Sequence, residues 1–98
     1  MMLLIFKALS SEVRLNILQW LKEPKANFPP DEHGDGVDGI CVGQLQKRAG
    51  LSASATSTHI AVLQRAGLVL PTRVGQWTFY RRNEEALAAF ARAVGTEL

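Results

Sequence analysis

A turn near the middle of the chain most restricts what this sequence can fold into. Residues 41–49 carry apolar side chains at helical spacing, and Gly50 is the residue type that most often follows the end of a helix. Ser52 is a good N-cap for a second helix, which extends to about Ala66 and stops at Gly67. Two helices joined by about three residues, with a glycine in the turn, predict a helix-turn-helix unit.

The second helix of this unit has an unusual outer face. At helical spacing Thr56, Ile60 and Leu63 share the inner face. The opposite face carries small or hydroxyl-bearing side chains: Ala53, Ser54, Ser57, Thr58 and Ala61. A helix that enters the major groove of DNA needs short side chains, hydroxyls that bond base edges, and no carboxylate to repel phosphate. The pattern predicts a recognition helix, and a poorly stable, solvent-facing helix is the alternative.

Charge is distributed asymmetrically along the chain. All nine acidic residues lie before residue 39 or after residue 83, although the formal net charge is only +2. The segment 40–83 contains six basic residues and no acidic one. The basic residues are Lys47, Arg48, Arg65, Arg73, Arg81 and Arg82. This asymmetry predicts one surface that faces a polyanion, with a solvated basic face of chance spacing as the alternative.

The segment after the helix-turn-helix unit predicts a β-hairpin. Residues 68–74 and 77–82 are rich in β-branched and aromatic side chains, and Gly75 with Gln76 provides the turn between them. The expected fold class is therefore mostly α with a β-hairpin. At 98 residues, the chain is expected to form a single domain, 1–98.

Helices are also expected at both ends of the chain. Residues 2–9 are apolar, Ser10 or Ser11 can cap a helix that Pro24 ends, and Asn83 can cap the last helix. The apolar side chains of the first and last helices exceed what a small core can cover. They are Leu3, Leu4, Phe6, Leu87, Phe90 and Val94. We expect these two helices to form a homodimer interface.

The segment 23–39 predicts a long loop insertion with little regular structure, because it is rich in proline, glycine and acidic residues. Phe28 is the side chain expected to anchor this loop to the core. His33 lies among the acidic residues of the loop and could join them in binding a divalent ion. Solvated charge on a flexible loop is the plainer interpretation.

Four parts of the sequence together resemble the ArsR/SmtB family of winged-helix transcription factors. These parts read LSSEVRLNIL, CVGQL, GLSASATSTHIAVLQRAGLV and WTFYRR, and the match covers most of the chain outside the 23–39 loop. The resemblance implies a winged helix-turn-helix protein that represses transcription from double-stranded operator DNA as a homodimer. It also implies that the hairpin is a wing beside the DNA, and that an effector, here unknown, loosens binding.

Two departures from that family concern metal binding. The arsenic sensors of the family begin the helix of residues 41–49 with Cys-Val-Cys, whereas this chain has Cys41, Val42 and Gly43. Its zinc sensors carry Asp, His and Glu ligands in the last helix, whereas the last helix here contains no histidine. Because a tight site needs about three or four converging ligands, we expect no metal site and no cofactor.

Two single residues leave alternatives open. Cys41 is expected at a helix N-cap, where the helix dipole would favour a thiolate and hence a thiol sensor, but a lone cysteine is more often a small packing residue. His59 follows the predicted base-reading side chains, and could contact phosphate or cap a backbone group.

The long cations at the end of the recognition helix and in the wing are expected to hold phosphate. The predicted DNA-binding residues are Lys47, Ser52, Ser54, Ser57, Thr58, His59, Arg65, Arg73 and Gln76. Among them Ser54, Ser57 and Thr58 are expected to read bases.

Other classes of function find less support in the sequence. There is no nucleophile motif and no phosphate-binding glycine loop, so we do not expect an enzyme. No apolar run is long enough to span a membrane, and the single cysteine excludes an intrachain disulfide, so we expect a cytoplasmic protein without a membrane partner. The competing interpretation is a winged-helix module that binds proteins and has no DNA binding.

Overall fold

The computed structural model describes residues 2–31, 34 and 36–98. In order along the chain, its elements are α1 (Met2–Leu9), α2 (Glu12–Lys22), α3 (Pro24–Asn27), β1 (Ile40–Cys41), α4 (Val42–Ala49), α5 (Ala53–Arg65), β2 (Val69–Val74), β3 (Trp77–Arg82) and α6 (Glu84–Glu97). The fold is mostly helical with a small antiparallel sheet, as the sequence predicts.

The helix-turn-helix unit is α4 and α5, and the turn residues have the predicted roles. Gly50 adopts the left-handed conformation, with φ of 68°, and its amide donates to the carbonyl of Gln46 at 2.9 Å. This is the helix ending that glycine favours. The Ser52 hydroxyl accepts the amide of Ala55 at 3.1 Å and so caps α5. The turn therefore fixes the direction in which α5 leaves α4.

The hairpin is β2 and β3, joined by the two residues Gly75 and Gln76. The sequence did not predict the third strand, β1, which pairs with β3 and gives the strand order β1-β3-β2. Gly39 precedes β1, where a Cβ atom would lie 3.0 Å from the Tyr80 carbonyl oxygen. The φ of Gly39 is 141°, so both space and backbone conformation favour glycine there.

The core lies between the helix-turn-helix unit, α2 and the sheet. The inner face of α5 is buried as predicted, and Thr56 is completely inaccessible. The Thr56 hydroxyl donates to the Ser52 carbonyl at 2.9 Å, so this buried polar group has a partner. Other fully or nearly fully buried side chains include Ile17, Leu45, Leu63, Leu68, Val69 and Phe79.

The expectation of an irregular loop over residues 23–39 is wrong in one part. Pro24 begins the short helix α3, because a proline at the first helical position loses no hydrogen bond and already has a helical φ. The Asn27 side chain donates to the carbonyl of Glu23 at 2.9 Å and holds this turn. Phe28 follows and is 8% exposed, so its predicted role as the anchor is confirmed.

The terminal helices pack on the outside of this core. Phe6 of α1 contacts Phe90 of α6 edge to face, with ring centroids 5.2 Å apart. No residue of α6 is fully buried, and Leu3 and Phe6 of α1 remain 64% and 39% exposed. Among the described residues, no helix has the length and apolar character needed to cross a membrane.

Candidate DNA interface

The outer face of α5 is open to solvent as predicted. Ser54, Ser57 and Thr58 are all exposed, and they share a face opposite to Thr56, Ile60 and Leu63. Because the inner face is held in the core, these short side chains stand on a rigid helix at the surface. The arrangement allows the close approach that a major-groove contact requires.

The three hydroxyls of this face are not equivalent. The Thr58 hydroxyl donates to the Ser54 carbonyl one turn earlier, at 2.9 Å. Its proton is therefore engaged, and its oxygen can still accept a hydrogen bond from a base amino group. The hydroxyls of Ser54 and Ser57 have no such bond within the described chain, so both can donate or accept. The sequence did not distinguish them.

The N-cap residue Ser52 is exposed, and its oxygen already accepts the Ala55 amide. A hydroxyl that accepts in this way keeps its own proton available as a donor. Ser52 can therefore still donate to a phosphate oxygen.

Of the two roles that the sequence left open for His59, the structure of the free chain bears only on the backbone cap. The Nδ1 of His59 lies 3.1 Å from Nη1 of Arg14, a residue of α2 that no sequence motif indicates. The histidine is half-buried at the edge of the outer face. No backbone group is capped by its side chain in the described residues.

The predicted phosphate contacts are spread over α4, α5 and the hairpin. Lys47, Arg65, Arg73 and Gln76 are all exposed. Arg73 folds toward the turn, where its Nε donates to the carbonyl of Gly75 at 3.1 Å. The terminal nitrogens of its guanidinium remain available as donors for phosphate.

Three other arginines of the basic segment are partly neutralised or engaged elsewhere. Arg82 donates to Glu84 at 2.9 Å, and Arg81 lies 3.9 Å from the exposed Asp38. The Arg48 guanidinium lies 5.1 Å from the ring centroid of Trp20. Acidic neighbours thus partly offset the charges of Arg81 and Arg82, and the positive surface predicted for residues 40–83 is carried mainly by the exposed cations Lys47, Arg48, Arg65 and Arg73.

Cys41 lies apart from the outer face of α5, beside a cleft of about 770 Å³ that Phe28, Asp31 and Lys47 also line. The Cys41 thiol donates to the Asp31 carboxylate at 3.1 Å. Burial and the Asp31 carboxylate raise the pKa of this thiol, and they outweigh the lowering by the backbone amides of α4. This direction is opposite to the one that the helix dipole alone predicts.

Metal binding finds no ready site in the described part of the chain. There, no three side chains of the His, Cys, Asp and Glu types come together. His33, the ligand considered for the acidic loop, lies outside the described residues.

Replacing Asp31 with asparagine is expected to make Cys41 more reactive. The substitution removes the negative charge that disfavours the thiolate, so the pKa of Cys41 should fall. The rate of alkylation by iodoacetamide, measured against pH, should reach half its maximum at a lower pH in Asp31→Asn than in the wild type. Asp38→Asn is the matched control, because Asp38 is 86% exposed and pairs with Arg81 instead. Identical pH profiles for Asp31→Asn and the wild type would contradict this account.

Comparison with known proteins also indicates that this chain binds DNA. Residues 40–70 match the family described as bacterial regulatory protein, arsR family. The chain is 44% identical to the uncharacterized HTH-type transcriptional regulator YbzH of Bacillus subtilis (strain 168), over 96% of this chain and 95% of that protein.

Solved structures of similar proteins share this fold. HlyU from Vibrio cholerae N16961 superposes with a TM-score of 0.64 at 33% identity, over 92% of this chain and 84% of that one. Mb0332 from Mycobacterium bovis, described as a homodimeric winged helix-turn-helix DNA-binding domain, shares the fold with a TM-score of 0.67 at 23% identity, over 96% of this chain and 75% of that one. With an exposed recognition helix, an adjoining wing and 44% identity to a transcriptional regulator over nearly its full length, the chain belongs to the arsR family of bacterial regulatory proteins and is a DNA-binding transcriptional regulator.

Proposed function

We propose that this protein binds operator DNA as a homodimer and represses transcription, with α5 in the major groove and the β2–β3 hairpin as a wing along the backbone. The observation that carries the proposal is the outer face of α5, where exposed hydroxyl side chains stand opposite a fully packed inner face. A cytoplasmic location is part of the proposal, because the operator DNA of a bacterial regulator lies there. No catalytic activity, metal or cofactor is part of the proposal.

The roles of the side chains follow from their length and position. Ser54, Ser57 and Thr58 are short and lie on the outer face of α5, so they are assigned to base edges. The long cations Lys47 and Arg65 lie on the two helices of the unit and are assigned to phosphate. Arg73 and Gln76 near the hairpin turn, with Ser52 and His59 beside the reading face, complete the phosphate contacts.

A protein-interaction module without DNA binding is the second candidate. Protein interfaces accept carboxylates, whereas a DNA-facing surface excludes them. The segment 40–83 holds both helices of the unit and the whole hairpin without one acidic residue. This exclusion favours DNA over a protein partner.

The homodimer is supported by the apolar surface of the terminal helices. Leu3, Leu4 and Phe6 of α1 are exposed in the single chain, and Phe6 touches Phe90 of α6. The edge-to-face contact joins the two helices, so the exposed apolar side chains of α1 lie beside α6. An apolar patch of this kind marks a subunit interface in a small protein. The likeness to a homodimeric winged helix-turn-helix domain supports the same conclusion.

Replacing Ser57 with glutamate is expected to abolish operator binding and leave the fold intact. The side chain at this position is exposed, so the substitution costs little stability, but it places a carboxylate against phosphate. Gln19→Glu adds the same charge at an exposed position of α2 and should bind normally. Fluorescence anisotropy with a duplex from the protein's own upstream region, and with a scrambled duplex, measures both variants. Normal operator binding by Ser57→Glu would show that α5 is not the reader and would favour the protein-interaction module.

Replacing Arg73 with alanine is expected to weaken binding to operator and scrambled DNA by a similar factor. The loss of one phosphate contact should lower the slope of log affinity against log salt by about one unit. Titrations over a salt series measure the slope, and Arg92→Ala, an exposed arginine of α6, is the matched control. A loss confined to the operator would instead identify Arg73 as a base-reading residue.

The wild-type protein is expected to sediment as a dimer at micromolar concentration, and Leu3→Asp as a monomer. Leu3 is 64% exposed, so a charge there is harmless to the single chain but would be buried in the proposed interface. Gln19→Asp, at an exposed position outside the terminal helices, should remain dimeric. Analytical ultracentrifugation measures the oligomeric state of each variant. A monomeric wild type at this concentration contradicts the proposed homodimer.

A further inference from the structure

One arginine connects three helices beside the recognition face. The side chain of Arg14, in the first turn of α2, is half-buried between α1 and α5. Its Nε donates to the Ala8 carbonyl at 2.6 Å, and its Nη2 donates to the Lys7 carbonyl at 3.2 Å. Its remaining terminal nitrogen, Nη1, lies 3.1 Å from Nδ1 of His59. All three nitrogens of the guanidinium therefore have partners.

The chemistry of the pair fixes the proton on the histidine. A guanidinium has five N–H donors, no acceptor, and stays charged at any physiological pH. Nδ1 of His59 must therefore accept the hydrogen bond, which means that it carries no proton. In a neutral imidazole the proton then lies on Nε2, so Nε2 is a donor.

The donor formed in this way is available at the edge of the reading face. His59 follows directly on Thr58 in α5, and the described chain gives its Nε2 no hydrogen-bond partner. Nε2 is also absent from the buried polar atoms without a partner, so it keeps contact with solvent. A solvent-accessible N–H beside a DNA-facing helix suits a phosphate oxygen, which only accepts hydrogen bonds.

We propose that Arg14 is a positioning residue for DNA binding: it holds the His59 ring as the Nε2–H tautomer, and this N–H donates to a phosphate of the operator. Arg14 itself does not contact DNA. The inference rests on the proposed function, because it needs α5 to lie against DNA.

The carbonyls that Arg14 also binds explain why its guanidinium is so well held. They belong to Lys7 and Ala8 at the C-terminal end of α1, where a cation is favoured. With two of its nitrogens fixed there, the third can be directed at His59 at little further cost in entropy. The flexible side chain is therefore pre-organised from the α1 side.

The first test is the tautomer of His59 in the free, full-length protein. Two-bond proton–nitrogen correlation spectra show which ring nitrogen carries the proton, and His33→Gln removes the only other imidazole from the spectrum. At neutral pH the wild type should show a protonated Nε2 and an unprotonated Nδ1, and Arg14→Ala should shift both signals toward a mixture of tautomers. Arg92→Ala is the control and should change neither. A proton on Nδ1 in the wild type, or unchanged signals in Arg14→Ala, overturns the proposal.

The second test is a double-mutant cycle on DNA affinity. His59→Ala should weaken binding to operator and scrambled duplex alike by about tenfold, the factor expected for one hydrogen bond to a charged group. Arg14→Ala should cause a similar loss in the wild-type background and less than about a twofold loss in the His59→Ala background, because it acts only through His59. If Arg14→Ala does not fold, as judged by circular dichroism, Arg14→Gln replaces it in both tests, because it keeps two donors but lacks the charge and the fork.

The outcomes separate this inference from the proposed function. If the wild type binds DNA but the cycle is additive, or His59→Ala binds normally, the positioning role is wrong and the proposed function stands. If the wild type binds neither duplex at any salt concentration, the proposed function fails and this inference fails with it.

Discussion

The burial of one face of α5 is the constraint on which the rest of this structure depends. Thr56, Ile60 and Leu63 are held in the core, so α5 cannot rotate without exposing apolar surface. The cap at Ser52 and the left-handed Gly50 set where α5 begins and in which direction it runs. This packing therefore fixes the positions of the side chains on the opposite face of α5, including the spacing of its hydroxyls.

The sheet extends that rigid unit to the wing. β1 directly precedes α4 and pairs with β3, so the start of the helix-turn-helix unit is anchored to the same sheet as the hairpin. On the other side, Asn83 donates through its side chain to the Gly67 carbonyl at 2.9 Å, and so ties the end of the hairpin to the end of α5. Helix α5 and the hairpin are therefore held together as one rigid unit.

The elements with local causes were predictable from the sequence, and those with distant causes were not. Helical periodicity, Gly50, Ser52 and the Gly75 turn are local signals, and the helix-turn-helix unit and the hairpin are confirmed. The two-residue strand β1 has no such signal, because its pairing with Phe79 and Tyr80 depends on chain that lies about 40 residues later. The high proline, glycine and acidic content of residues 23–39 predicted a loop and so missed α3, although Pro24 is a typical first residue of a helix.

The candidate site, too, has parts that follow from local sequence and parts that depend on tertiary contacts. Which side chains stand on the outer face of α5 follows from periodicity alone, and the exposure of Ser54, Ser57 and Thr58 agrees with it. The contact of His59 with Arg14, 45 residues earlier, and the carboxylate beside Cys41 are products of tertiary packing. No local sequence pattern predicts these two contacts. The direction of the Cys41 pKa shift therefore could not be predicted from the helix dipole alone.

The separation of the two faces of α5 has a consequence for how such a protein can change. The residues proposed to read bases contribute almost nothing to the core, and the core residues do not reach the surface. A new operator preference can therefore arise by exchanging small side chains at positions 54, 57 and 58 with little penalty in folding. Divergence after gene duplication, or deliberate re-targeting in the laboratory, can proceed one surface position at a time while the scaffold remains the same.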